Sequence, residues 1–296
     1  VLNLHGYGSN NQQQETYGDF RSIADTADFI IVHPNGTLDG SGKLYWNSFG
    51  WSTIDDVGFL SALIDTVSSS YNIDENCIYS TGMSNGGFMS YDLACSLSNR
   101  IAAIASVTGS MIPSHKNTCF PIHPVPVMEI HGTADGTVPY NGSSTMIPID
   151  TLISFWTQLN NCSNTPVITT LPNTNTSDGC TAEHHVFNGG NLGSDVELYK
   201  IIGGGHSWPG ATFNINVTNM DFKASVEIWR FFRKYKLNAL TNLASVSGSS
   251  PSFSIYPNPS NGNFQLAIDN MQLTEGKIEI YNILGLKVPA EVVVKD

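Results

Sequence analysis

Basic residues are scarce in this sequence. It has 13 lysines and arginines against 25 aspartates and glutamates, a formal charge of −12 over 296 residues. No basic run stands out, which excludes a phosphate-tracking nucleic-acid surface. A charge this negative favours solubility. Long apolar runs are missing too, which excludes a helical membrane span. No signal peptide is visible. The chain opens on Val1 rather than Met, and VLNLHG reads as a strand already under way. We therefore expect N-terminal sequence to be missing. The five cysteines, Cys77, Cys95, Cys119, Cys162 and Cys180, form no CxxC pair. No zinc site is expected from them.

Those cysteines carry a different expectation. Cys162 and Cys180 flank a loop rich in Asn, Thr and Pro and read as a disulfide staple, and Cys95 with Cys119 can form a second. Cys77, in ENCIYSTG, reads as a buried odd thiol in a strand. The alternative is five reduced, buried thiols.

From residue 1 to 237 the pattern alternates strand, loop and helix. VLNL, FIIVHP, CIYSTG, AAIASVTG, VPVMEIHG and VELYKII are apolar runs of strand length. Amphipathic stretches such as DDVGFLSALIDTVSSSY and GGFMSYDLACSLSN lie between them. This alternation predicts an α/β fold with a mostly parallel sheet flanked by helices. A last helix is expected over MDFKASVEIWRFFRKYK, acidic at its start and basic at its end. Residues 238–252 are small and polar and read as a linker. Residues 253–296 alternate apolar and polar positions between Pro-Asn-Pro and Ser-Asn-Gly turns, which predicts a small all-β module. It stops at Asp296 without a natural ending.

Gly82-Met83-Ser84-Asn85-Gly86 is a G-x-S-x-G sequence between a strand and a helix. That context is the one a nucleophile elbow requires, with Ser84 lifted above the sheet's carboxyl edge and the Asn85 N–H facing a developing oxyanion. A serine needs a base, and the base needs an orienting acid. Asp135 follows the strand VPVMEI, and His206 follows VELYKII in GGGHSWPG. Both lie on loops at the edge that carries Ser84. A base of this kind must be neutral to accept a proton, so activity is expected to rise with pH through the histidine range. His184 and His185 read as structural, and His33 and His131 stand in the wrong order. Asp55 and Asp56 read as helix-cap and first-turn charges. Asp195 precedes its strand. His5-Gly6-Tyr7-Gly8 ends the first strand, and the Tyr7 N–H is the candidate second oxyanion donor; a plain glycine turn is the alternative.

Together LHGYGSN, DDVGFLSALID, IYSTGMSNGGFMSYDLAC, HGTADGTVPY and GGGHSWPG resemble the extracellular esterases related to polyhydroxybutyrate depolymerases and to the feruloyl and acetylxylan esterases of carbohydrate esterase family one. The resemblance covers most of residues 1–237 and implies an α/β-hydrolase lacking that family's first strands. It also implies a triad of Ser84, Asp135 and His206 and a disulfide like Cys95–Cys119. Residues 253–296, with SIYPNPSNGNFQL and IEIYNILGLKV, resemble part of the C-terminal sorting domain of the type IX secretion system of Bacteroidetes. That likeness implies export, handling by the type IX machinery, and a secreted or cell-surface enzyme.

The expected reaction is two-step acyl transfer, which requires no cofactor or metal. Trp46, Trp51 and Trp208, with Tyr7, are candidates for an aromatic wall that grips substrate; ordinary packing is the alternative. The segment SVTGSMIPSHKNTCFPIHPVPV is short for a lid, so an open site is expected. The expected substrates are feruloyl or acetyl esters of plant polysaccharide, with polyhydroxybutyrate as the alternative. A non-catalytic polysaccharide-binding or adhesin protein on the same fold is the rival from another class. A serine peptidase is a further rival, but one that usually carries a large extra domain.

Overall fold

The computed structural model describes residues 1–212 and 216–237, and the backbone of four short strands beyond them, Phe253–Tyr256, Gln265–Ile268, Ile280–Tyr281 and Lys287–Val288. The chain divides into two compact units, Val1–Asn242 and Leu243–Asp296. In the second unit Phe253–Tyr256 pairs antiparallel with Gln265–Ile268, and Ile280–Tyr281 with Lys287–Val288. The linker 238–252 and the turns at 257–264 lie outside the described residues.

The elements of the first unit are β1 (Leu2–Leu4), α1 (Asn11–Tyr17), α2 (Arg21–Ala27), β2 (Thr37–Leu38), β3 (Leu44–Tyr45), α3 (Asp56–Ser70), β4 (Tyr79–Met83) and α4 (Asn85–Ser96). Then follow β5 (Ala103–Val107), α5 (Pro113–Thr118), β6 (Val127–Gly132), α6 (Ile149–Asn160), β7 (Val167–Thr170), β8 (Thr181–Phe187), β9 (Val196–Ile202) and α7 (Ala224–Phe232). Seven strands form one sheet in the order β1-β4-β5-β6-β9-β8-β7. The first five run parallel, and β8 and β7 close the sheet antiparallel.

Side-chain alternation on the strands builds two cores, one on each face. Ile104, Val127 and Leu198 pack with Leu60 of α3, Met89 of α4 and Trp156 of α6. Their neighbours Ala103, Ala105, Met128 and Tyr199 pack on the other side with Ile228, Phe231 and Phe232 of α7. Asp55 caps α3 as expected, accepting the Gly58 N–H at 2.7 Å.

Two sequence expectations change. FIIVHP is not a strand: a single bridge, Leu2 to Val32, joins it to the three-residue β1. The last helix starts at Ala224 rather than Met220. The preceding residues are claimed by tertiary bonds: Met220 N–H reaches Asp178 at 2.8 Å, and Asp221 accepts the amides of Thr174 and Asn175 at 2.6 and 2.9 Å.

The cysteines divide as well. Cys95 and Cys119 form a disulfide with Cα atoms 4.9 Å apart, tying the end of α4 to the residue that follows α5. The expected Cys162–Cys180 staple is absent, and both are buried thiols. Cys162 belongs to the core on the α6 face and Cys180 to the core on the α7 face, so the sheet separates them. Burial pushes each thiol up to about 11, which leaves them unreactive near neutral pH. Cys77 is free but only half buried; it sits in the bend before β4, where its thiol donates to Asp74.

Glu197 of β9 is fully buried and answered by cations. It accepts from Lys234 Nζ at 2.7 Å and from Arg230, and His184 Nε2 lies 2.7 Å away. Burial pushes its carboxyl up, but the three partners outweigh burial and hold it at about 2. A depressed carboxylate adds stability above its ordinary value of 4.5, and that stability is lost as pH falls towards about 2. Glu197→Gln is therefore expected to cost about 3 kcal/mol at neutral pH. Urea melts should show the variant losing less stability than the parent between neutral pH and pH 3. Equal acid losses would remove this role from Glu197.

Candidate active site

Ser84 stands between the end of β4 and the start of α4 with φ 54° and ψ −119°. Non-glycine residues rarely hold a positive φ, and the surroundings impose it here. The Ser84 N–H is fixed on Val107 O at 2.8 Å, and its carbonyl accepts the Phe88 N–H at 2.9 Å. The flanking glycines let α4 sit directly on β1. A Cβ on Gly86 would stand 2.2 Å from Leu4 O, and one on Gly82 would stand 2.6 Å from the Gly86 carbonyl. The Asn85 N–H opens α4, in the first turn, where no intrahelical carbonyl answers it.

Residues 5–7 border the serine. A Cβ on Gly6 would lie 3.5 Å from Ser84 Cβ. Tyr7 follows with its ring turned to the surface, where its hydroxyl donates to Asp39 at 2.6 Å and the Lys43 ammonium lies 5.2 Å from the ring centre. The Tyr7 hydroxyl is thereby engaged away from the serine.

Asp135 and His206 come together because β6 and β9 are neighbours. Their following loops are laced by Thr133 N–H to Ile201 O at 2.8 Å and Ala134 N–H to Gly204 O at 2.9 Å. Gly132 and Gly204 permit this: a Cβ on Gly132 would fall 2.2 Å from the Gly204 carbonyl oxygen. His206 Nδ1 lies 2.8 Å from Asp135 Oδ2, which leaves Nε2 free. Asp135 Oδ1 accepts the amides of Thr137 and Val138 at 2.8 and 2.9 Å. Burial pushes the Asp135 carboxyl up, but His206, the Val138 amide and the nearby His131 outweigh it and hold it below the usual range, as a carboxylate. Ser84, Asp135 and His206 thus stand at the carboxyl ends of β4, β6 and β9, in the parallel part of one sheet. His184 and His185 bond to Glu197 and Glu183 instead.

The expected aromatic wall needs correction. Trp46 is fully buried: its indole N–H donates to His5 O at 3.0 Å. The Asn85 side chain grips its backbone at both ends, accepting from Trp46 N–H at 2.6 Å and donating to Trp46 O at 2.9 Å. Trp46 therefore fastens the 46–48 loop to the elbow and cannot touch substrate. Trp208 is buried beneath the His206 loop, where its backbone N–H meets the Tyr17 hydroxyl at 3.0 Å and its indole N–H meets Ser225 at 3.2 Å. Trp51 alone of the three is exposed, at 68%. It stacks on Phe49 at 4.6 Å, and Phe49 packs on Phe88 at 4.8 Å. Phe88 lies in the first turn of α4, so an aromatic strip runs from the elbow to the surface. Val138, Ile112 and Met146 flank it. Phe49 and Phe88 are not among the sequence candidates; their only signal is the FGW triplet and the phenylalanine that follows the elbow glycines.

Among the described residues no group of three or more His, Cys, Asp or Glu side chains could hold a metal ion, and no helix is long and apolar enough to cross a membrane.

Residues 52–167 match the phospholipase/carboxylesterase family, and residues 254–295 match the secretion system C-terminal sorting domain, which marks secretion. A bifunctional acetylxylan esterase/xylanase of Neocallimastix patriciarum is 31% identical over 140 residues, 47% of this chain and 20% of that protein. Feruloyl esterase B of Piromyces equi is 28% identical over 221 residues, 70% of this chain and 39% of its own length. The chain thus spans well under half of these curated relatives. An acetyl xylan esterase structure from Aspergillus awamori superposes with a TM-score of 0.53 at 15% identity, covering 70% of this chain and 83% of that one. The fold is that of the α/β-hydrolases, and the resemblances read from the sequence are borne out at both ends of the chain.

Proposed function

We propose that this secreted α/β-hydrolase, similar to feruloyl and acetylxylan esterases, is a serine carboxylic-ester hydrolase working through an acyl-enzyme. The observation that carries the reading is the 2.8 Å contact of His206 Nδ1 with the buried Asp135 carboxylate, with a serine on a strained turn at the same edge. Asp135 keeps the proton on Nδ1, so Nε2 is free to take one from Ser84. Ser84 Oγ attacks the ester carbonyl carbon as Nε2 accepts its proton. The N–H groups of Asn85 and Tyr7 hold the oxyanion. Collapse breaks the bond to the alkoxy group, which leaves as the alcohol with the proton from His206. Water then attacks the acyl carbon, giving one proton to His206. The carboxylic acid leaves as Ser84 recovers that proton.

For substrate we favour a feruloyl or acetyl ester carried on plant polysaccharide. The Trp51–Phe49–Phe88 strip supports an aryl acyl group, because offset stacking contributes about 0.5–1.5 kcal/mol beyond area burial. Polyhydroxybutyrate remains the second reading. Purified protein should release ferulate from methyl ferulate or acetate from acetylated xylan faster than it clears polyhydroxybutyrate films. Clearing of films without release of either acid would reverse the ranking and leave the mechanism standing. Trp51→Ala is expected to lower kcat/KM for methyl ferulate by about 3- to 10-fold and to leave p-nitrophenyl acetate nearly unchanged. Equal effects on both substrates would remove the strip from recognition. We further propose that residues 253–296 serve export through the type IX machinery and take no part in the chemistry.

A further inference from the structure

Behind Asp135 lies a second, wholly buried histidine–carboxylate pair. His131 and Glu129 alternate along β6 and face the α4 side of the sheet, both fully buried. His131 Nε2 is 2.8 Å from the carbonyl oxygen of Val138. A carbonyl only accepts, so Nε2 carries the hydrogen. His131 Nδ1 is 2.9 Å from Glu129 Oε1, so one proton lies between them. Tyr91 of α4 donates to Glu129 Oε2 at 2.7 Å. The other groups facing the imidazole are the Tyr140 ring, edge-on with centroids 6.0 Å apart, and Asp135 Oδ2 at 3.5 Å.

The Val138 peptide therefore has both ends claimed. Its N–H holds Asp135 Oδ1, and its carbonyl is held by His131. From this geometry we infer that His131 is a positioning residue for ester hydrolysis. It fixes the turn that aims Asp135 at His206. Glu129, oriented by Tyr91, keeps the hydrogen on Nε2 by sharing a proton with Nδ1. The inference rests on the reading of Asp135 as the acid of the triad. The shorter contact is the hydrogen bond to the Val138 carbonyl, at 2.8 Å against 3.5 Å for the direct approach of Nε2 to Asp135 Oδ2, so the Val138 peptide is the main route to Asp135.

Steady-state kinetics of the full chain on p-nitrophenyl acetate test this, with Ser84→Ala run alongside. His131→Asn, whose amide cannot reach Val138, is expected to lower kcat by about 10- to 100-fold and to keep KM within about twofold. His131→Gln can put an amide N–H where Nε2–H lies, and should recover most of kcat. Glu129→Gln can donate to Nδ1 and should keep kcat, whereas Glu129→Leu should lower it as His131→Asn does. That second pair decides the matter if His131→Asn fails to fold. Parental kcat in His131→Asn or Glu129→Leu, equal losses in both members of a pair, or a loss carried by KM overturns the inference while the triad stands. Parental turnover that does not depend on Ser84 overturns the triad reading and this inference together.

Discussion

Replacing Ser84 with alanine is expected to lower ester turnover by about 10⁴- to 10⁶-fold without unfolding the protein. The effect is large because no neighbouring group can take over the attack, and acyl transfer without a nucleophile falls back on water held at the site. The fold should survive for a specific reason. Alanine keeps the Cβ, so the strain at φ 54° is the same for both residues. The bonds that fix the turn, Ser84 N–H to Val107 O and Phe88 N–H to Ser84 O, are backbone bonds and remain. The measurement is kcat on p-nitrophenyl acetate beside a thermal melt. His206→Ala should fall comparably. A folded Ser84→Ala protein with near-parental turnover would move the nucleophile elsewhere.

The second large effect is on folding. Gly86→Ala would push a methyl group to 2.2 Å from Leu4 O, 2.6 Å from Leu4 C and 2.8 Å from His5 O. All three are backbone atoms of β1 and the turn after it, so no side chain can swing aside. Either α4 lifts from the sheet or β1 shifts, and in both cases the buried contacts of Met89 and Leu93 with the core open. We expect a loss of about 4 kcal/mol or more, or no soluble protein. Gly40→Ala is the control, because a Cβ there meets nothing within 4 Å. Comparing soluble yield and melting temperature separates the two. Parental stability in Gly86→Ala would mean that the helix does not rest on β1 as described.

The strained turn at Ser84 and the Asp135–His206 pair could be read in advance because each is local. Ser84, Asp135 and His206 each follow an apolar strand-length run, and in a parallel sheet those runs end at one edge. Neighbouring partners in the sheet then did the rest, since β6 and β9 lie side by side although more than 60 residues separate them. What could not be read was exposure. Trp46 and Trp208 look like Trp51 in sequence, yet one is bonded to Asn85 and His5, another is covered by Tyr17 and Ser225, and Trp51 alone faces solvent. The Cys162–Cys180 expectation failed for a related reason, because loop composition does not say which face of a sheet a residue joins. Glu129 and His131 do leave a trace in the sequence: two ionisable residues alternate inside the apolar run VMEIHG. A strand buried on both faces has no solvent for them, so they had to be paired with each other or with a neighbour.

A fluorophosphonate probe tests most directly whether Ser84 is a nucleophile activated by His206. The purified chain should gain one phosphonyl group by intact mass, mapped to the peptide that carries Ser84. The adduct should be absent in Ser84→Ala and slow to form in His206→Ala. No labelling of the folded parent, or labelling that persists in Ser84→Ala, would contradict the account and favour a binding protein on a hydrolase fold or a different nucleophile.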